Sequence, residues 1–456
     1  MKLPIWRLVW TVPVTACISA CSAPGQAPLT APLSARAPAK RKLPATPIRH
    51  VVIIVQENRS FDNLFAGFPG ADAPLVGKGY GGTDIPLVAI PFNTPDIDHN
   101  YFYGVDDVDG GKMDGFSHNV YAYGKSGYAV KYAYSYLERS LVEPYWKMAE
   151  RYTLADRMFP TEQGPSWTAH LDLIAGTTNV TPSTAVINFP STSPYDCWAP
   201  AGTTTQTVNA QKALGTGPFP CFDQFRTMAD TLDAAGVSWR YYAPAIFGDT
   251  CSDCGYTWSA FSSIKNVRNG SDWHNVISPP PQILRDVANG QLAGVTWVVP
   301  DDLYSDHSEV TQRPWGPSWV AAVVNAIGKS AFWKSTAIVV LWDEWGGFYD
   351  DARPPTPAFN GLGIRVGCII ISPYAKRHYV SHTQYEFGSV LKFAEQVFNL
   401  PPLGSTADGY SDTRSNSIID SFNFKQRPIK FKHVDAPYPP SHFLGLPPSA
   451  RAPDDD

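Results

Sequence analysis

Residues 50–62, HVVIIVQENRSFD, and residues 336–350, TAIVVLWDEWGGFYD, decide the reading of the fold. Each opens on an apolar run that gives way at once to acids and amides. A strand buried on both faces loses the alternation of a half-exposed strand and reads as continuous Val, Ile and Leu. Two such runs, each ending in ligand-type side chains, point to an open α/β sheet, which gathers its ligands beyond the carboxyl ends of its strands. Glu57 and Asn58 follow the first run, and Asp343 and Glu344 the second. Gly346 and Gly347 then allow a tight turn behind the acids. A third segment, GPSW at residues 164–167, precedes a small apolar helix and supplies the hydroxyl of Ser166. Carboxylates, an amide and a hydroxyl can hold one hard divalent cation and present an alkoxide to phosphorus.

Working outward, VSWRYY (237–242), VTWVV (295–299) and VGCIIIS (366–372) read as further strands. Helical spacing marks residues 137–152, 170–175, 222–236, 317–333 and 385–400, the last stopped by Pro401-Pro402. Alternating helices and apolar strands predict an α/β domain with a mostly parallel sheet covered on both faces. One catalytic domain is expected over residues 50–402, with insertions near 66–135 and 178–275 and a tail at 403–456 lying on it.

The first twenty residues read as an export signal, a basic head before an apolar run too short for a stable span. That run ends in Ile18-Ser19-Ala20-Cys21, which resembles a bacterial lipobox with Cys21 as the lipidated residue; Cys17 is the alternative. Residues 21–49 are then a Pro/Ala-rich tether, and the chain is expected in the cell envelope, held to the membrane by lipid, or otherwise periplasmic or secreted. Disulfides are permitted there. Cys251 with Cys254, and Cys197 with Cys221, are the expected pairs, and Cys368 is a core thiol. A formal net charge of −5 gives no reason to propose nucleic acid as a partner.

Each candidate has a plainer reading. Glu57 can be a helix N-terminal charge, Asn58 or Ser166 a cap. Asp343 and Glu344 are harder to dismiss, because adjacent acids at the end of a buried strand repel unless a cation or partner offsets them. GPSW recurs at residues 316–319, where Ser318 opens an amphipathic helix and reads as a cap.

The motifs resemble, in order, a bacterial phosphoesterase family that contains phospholipases C and acid phosphatases. The resemblance is carried by HVVIIVQENRSFDNLF, GGKMDGF, GPSW with HLDLIAGTT, SDH at residues 305–307, and WDEWGGFYD with RVGCIIISPYA. It implies an alkaline-phosphatase-like three-layer sandwich and a metal-dependent hydrolase of phosphoric esters. Glu57, Asn58, Ser166, Asp343 and Glu344 become the metal set, and Ser166 the nucleophile that forms a phosphoserine. His99 and His307 fall where the family contacts phosphate, as does Asn58, or protonates the leaving oxygen. Family members often carry Asp-His where this chain has Asp350-Asp351 and Glu386-Phe387, which favours a single metal. Oxygen-rich ligation suits calcium, magnesium or manganese better than copper. The sulfatase signature, the G-x-S-x-G elbow, a Walker A loop and HExxH are all missing from the sequence. The competing reading is a surface lipoprotein with a decayed site that binds through the Tyr-rich segment 101–136.

Overall fold

A computed structural model describes residues 46–122, 127–246, 257–309 and 314–449. Nine strands form the central sheet. In chain order the elements that matter are β1 (His50–Gln56), the short helix α1 (Phe61–Phe65), helix α2 (Arg139–Arg151) and β2 (Thr153–Phe159). Helix α3 (Ser166–Ala175) follows, then β3 (Trp239–Tyr242), β4 (Val276–Ile277) and β5 (Val295–Val298). Helix α4 (Trp315–Lys329), β6 (Thr336–Trp342), β7 (Val366–Ile371), β8 (Tyr379–Ser381), β9 (Tyr385–Glu386) and helix α5 (Phe387–Phe398) complete the set.

Across the sheet the order is β4-β3-β5-β1-β6-β7-β2-β8, with β9 also beside β2. Every pairing is parallel except those of β7, which runs against both β6 and β2. The sheet is therefore mostly parallel, as the apolar runs predict. Residues 51–55 of β1 and all of β6 are buried, since helices flank the sheet. Register then sets the chemistry. Gln56 pairs with Trp342, so Glu57 and Asp343 leave the same edge side by side. The loops after β2 and β5 leave that edge too.

One expected element differs, and one strand is unexpected. The expected helix at 222–236 begins only at Met228, where Thr227 and Asp230 form a capping box, while Phe222 and Phe225 enter the core from a loop. Strand β2, unmarked by its sequence, carries Asp156 and Arg157. Asp156 accepts from the Asp72 N–H and lies 2.8 Å from His382 Nδ1, and Arg157 pairs with Asp72.

A four-stranded antiparallel sheet spans residues 179–216, and a disulfide joins Cys197 to Cys221. Cys368 is a buried free thiol. The Cys251–Cys254 pair and the lipidation residue Cys21 lie outside the described residues. From residue 403 onward the chain packs Leu403, Ile418, Phe422, Ile429, Val434 and Phe443 into the core. Among the described residues no helix is long and apolar enough to cross a membrane.

Candidate active site

At the end of β1 the backbone turns left-handed at Asn58 (φ 55°), a conformation Asn tolerates better than most residues. The turn points the Asn58 N–H at Asp343 Oδ1, 2.9 Å away, and so ties the end of β1 to the end of β6. Gly346 (φ 62°) lies against the same loop, where a Cβ would fall on the Asn58 carbonyl. The Gly346 N–H in turn donates to Glu344 Oε2 at 2.6 Å. Asp343 and Glu344 thus face different neighbours, as successive side chains on an extended chain do.

Two chains of contacts result. In one, Asn58 is the hub. The Ser166 hydroxyl donates to Asn58 Oδ1 at 3.3 Å, and Asn58 Nδ2 lies 2.8 Å from His99 Nε2. His99 Nδ1 is 2.6 Å from the Ile97 carbonyl, so Nδ1 carries the proton there and Nε2 accepts from the amide. Glu344 Oε1 lies 3.7 Å from His99 Nε2. The His307 ring is 6.0 Å from that of His99 and is oriented by Nδ1 against the Ser308 carbonyl at 2.8 Å.

The other chain joins Glu57, Asp343 and His170, which offer ligand atoms within 4.8 Å of one another. His170 stands four residues after Ser166, on the same face of α3. Its Nε2 is 3.3 Å from Glu57 Oε1 and 3.8 Å from Asp343 Oδ2. In the sequence His170 is a lone His in an apolar helix and reads as core. The one signal was its spacing of a single turn from Ser166.

All these side chains are buried, and burial dominates their electrostatics. It pushes Glu57 up to about 8, against a hydrogen bond with Asp343 that lowers it. Asp343 rises to about 7, first through burial and then through Glu57. Burial also lowers His170 to about 4, against the pull of Asp343. Among the described residues Glu57 Oε1 and Asp343 Oδ2 accept no well-formed hydrogen bond. Two buried carboxylate oxygens left open beside a neutral imidazole fit a divalent cation.

A second acidic triad lies nearby and is filled. Asp62, Asp350 and Asp351 converge on Arg365 at 3.0, 2.8 and 2.8 Å. Glu386, at the other departure from the family pattern, pairs with Arg414 at 2.7 Å. Ser318 is not the cap its position suggested. Helix α4 starts at Trp315 behind Pro314, which leaves Ser318 inside the first turn, buried and, among the described residues, with no hydrogen bond to its hydroxyl.

The family model described as "Phosphoesterase family" matches residues 48–401. The chain belongs to the phosphoesterase family. As a member it is a hydrolase of phosphoric ester bonds. Phospholipase C B of Mycobacterium tuberculosis is 25% identical over 452 residues, covering 86% of this chain and 81% of that protein. Non-hemolytic phospholipase C of Pseudomonas aeruginosa is 26% identical, covering 77% of this chain and 54% of that one. Among solved structures, a protein in the alkaline phosphatase superfamily from Vibrio parahaemolyticus aligns with TM-score 0.37 and 10% identity, covering 80% of this chain and 73% of that one.

Proposed function

We propose that this phosphoesterase hydrolyses its substrate through Ser166, with a divalent cation held by the acids at the ends of β1 and β6. The observation that carries the reading is the hub at Asn58, which touches Ser166, His99 and Asp343 at once. When bound, such a cation would neutralise phosphate oxygens and favour the ionised hydroxyl. The chain's own residues supply the rest. Asn58 Oδ1 orients the Ser166 hydroxyl at the N-terminus of α3, the end of a helix that favours an anion. Ser166 Oγ bonds to phosphorus as the ester P–O bond breaks, and the leaving oxygen takes a proton from His307 Nε2 when that ring carries a second proton, while His99, protonated at Nδ1 toward Ile97, positions Asn58. Water then attacks the phosphoserine, its proton passes to the imidazole, and Ser166 leaves.

The substrate class proposed is a phosphoric mono- or diester, and the relatives' names point to phospholipids. The Cys197–Cys221 disulfide supports an exported enzyme, with Cys21 the proposed lipid attachment. The binding-module alternative is weaker. Tyr101 and Tyr134 of its proposed Tyr-rich surface are buried, and Tyr134 stacks on Tyr349.

The test is turnover of an aryl phosphate, a bis-aryl phosphate and phosphatidylcholine vesicles, with and without chelator. Ser166→Ala should lower the rate by roughly three orders of magnitude or more, with Ser318→Ala close to wild type. Equal loss in both folded variants would contradict the assignment of Ser166.

A further inference from the structure

Resting on that metal reading, we infer that His170 binds the cation directly through Nε2. The ion is then a first-row metal that accepts imidazole (manganese, iron, cobalt or zinc) rather than calcium or magnesium.

Three observations lead there. The first is spacing. A charge-assisted N–H···O bond closes to about 2.7–2.9 Å. His170 Nε2 stays 3.3 and 3.4 Å from the two Glu57 oxygens and 3.8 Å from Asp343 Oδ2. Donors held at about 2.0–2.1 Å around one tetrahedral ion stand roughly 3.3–3.4 Å apart. The separations suit ligands that share an ion better than a hydrogen-bonded pair.

The second is partnership. A structural histidine buried this fully secures its ring by hydrogen bonds, as His99 does through Ile97. Among the described residues His170 Nδ1 has no hydrogen-bond partner, so the ring is held from its other nitrogen, which meets only these acids. The third is placement. Four residues along α3 put His170 on the same face as Ser166, so an ion held by Nε2 sits on the hydroxyl's side of the helix.

Ligand chemistry then restricts the ion. Calcium and magnesium take oxygen donors almost without exception. An imidazole beside two carboxylates suits first-row metals. This narrows the oxygen-only set expected from the sequence, which admitted all three of calcium, magnesium and manganese.

The experiment is pulsed electron paramagnetic resonance of the full chain, stripped of metal and reloaded with Mn²⁺, with phosphoester turnover measured on the same samples. A nitrogen hyperfine coupling of directly bound imidazole is expected in wild type. It should vanish in His170→Gln, while circular dichroism and bound Mn²⁺ remain. In competition titrations wild type should prefer Zn²⁺ over Ca²⁺, and His170→Gln should lower that preference at least tenfold. Bound Mn²⁺ without nitrogen coupling, in an enzyme that turns over, would overturn the inference and leave the proposed function standing. A coupling that persists in His170→Gln would place another histidine on the ion and overturn it as well. No bound metal, with turnover unaffected by chelator, would remove the metal reading itself.

Discussion

Two triads of ligand-type side chains, buried apart from the part-exposed Asp351, sit at one edge of the sheet, and the protein treats them differently. Asp62, Asp350 and Asp351 are met by Arg365, whose guanidinium forks to all three and also donates to the backbone carbonyls of Asp72 and Asp156. Burial alone would lower the pKa of Arg365, yet the three acids outweigh it and hold the charge in place. Among the described residues Glu57 and Asp343 meet no Arg or Lys, only each other, the Asn58 N–H and His170, which burial keeps neutral. A cluster that carries its own cation is architecture. A buried cluster that lacks one is, on the proposed reading, built to receive it. Three acids near one another are therefore uninformative until the nearest cation has been found.

The largest effect should come from breaking the self-contained triad. Arg365→Ala leaves two buried acids and the part-exposed Asp351 without this counter-charge and should cost about 3–5 kcal/mol in denaturant unfolding. Arg365→Lys should recover only part, since an ammonium cannot reproduce the planar fork. A loss below about 1 kcal/mol would mean the triad is solvated and the contrast unfounded.

The open triad should respond in the opposite way. Glu57→Gln with Asp343→Asn removes the mutual repulsion, so the metal-free double variant should melt no lower than wild type. Wild type should gain roughly 2–4 kcal/mol from saturating divalent ion, and the double variant almost none. Equal gains in thermal-shift titrations would place the ion elsewhere.

A third acidic pair sharpens the comparison with a smaller effect. Glu395, on α5, faces Asp412, whose Oδ2 accepts the Leu403 N–H at 3.0 Å. Burial first, then Asp412, push Glu395 up to about 9, so a shared proton replaces the cation. Its folded value lies above the ordinary 4.5, so its stabilisation is complete below that pH and fades as pH rises through about 9. Glu395→Gln should flatten this part of the stability profile across that window. Denaturation midpoints measured at steps through it would show an unchanged slope if the pair were ionised throughout.

What the sequence disclosed follows from the same physics. Strands β1 and β6 were legible because burial on both faces turns them into unbroken apolar runs, and the acids that end them stood out against that background. Strand β2 was hidden because Asp156 and Arg157 interrupt its run, and partners at Asp72 and His382 that satisfy them lie far away in sequence. The start of the helix at Met228 lay in a capping box within a longer apolar pattern. Asp343 and Glu344 were read as one pair, while the turn at Gly346 sends them to separate neighbours. His170 and Arg365 were illegible for a common reason. Each gains its meaning from partners that the pairing of β1 with β6 brings together, Glu57 with Asp343 for His170 and Asp62 with Asp350 for Arg365.

Elemental analysis of purified wild type, of the Glu57→Gln/Asp343→Asn variant and of Asp350→Asn tests the account most directly. About one divalent ion per chain is predicted in wild type and in Asp350→Asn, and almost none in the double variant. Two ions in wild type, or an ion lost from Asp350→Asn and kept by the double variant, would contradict it.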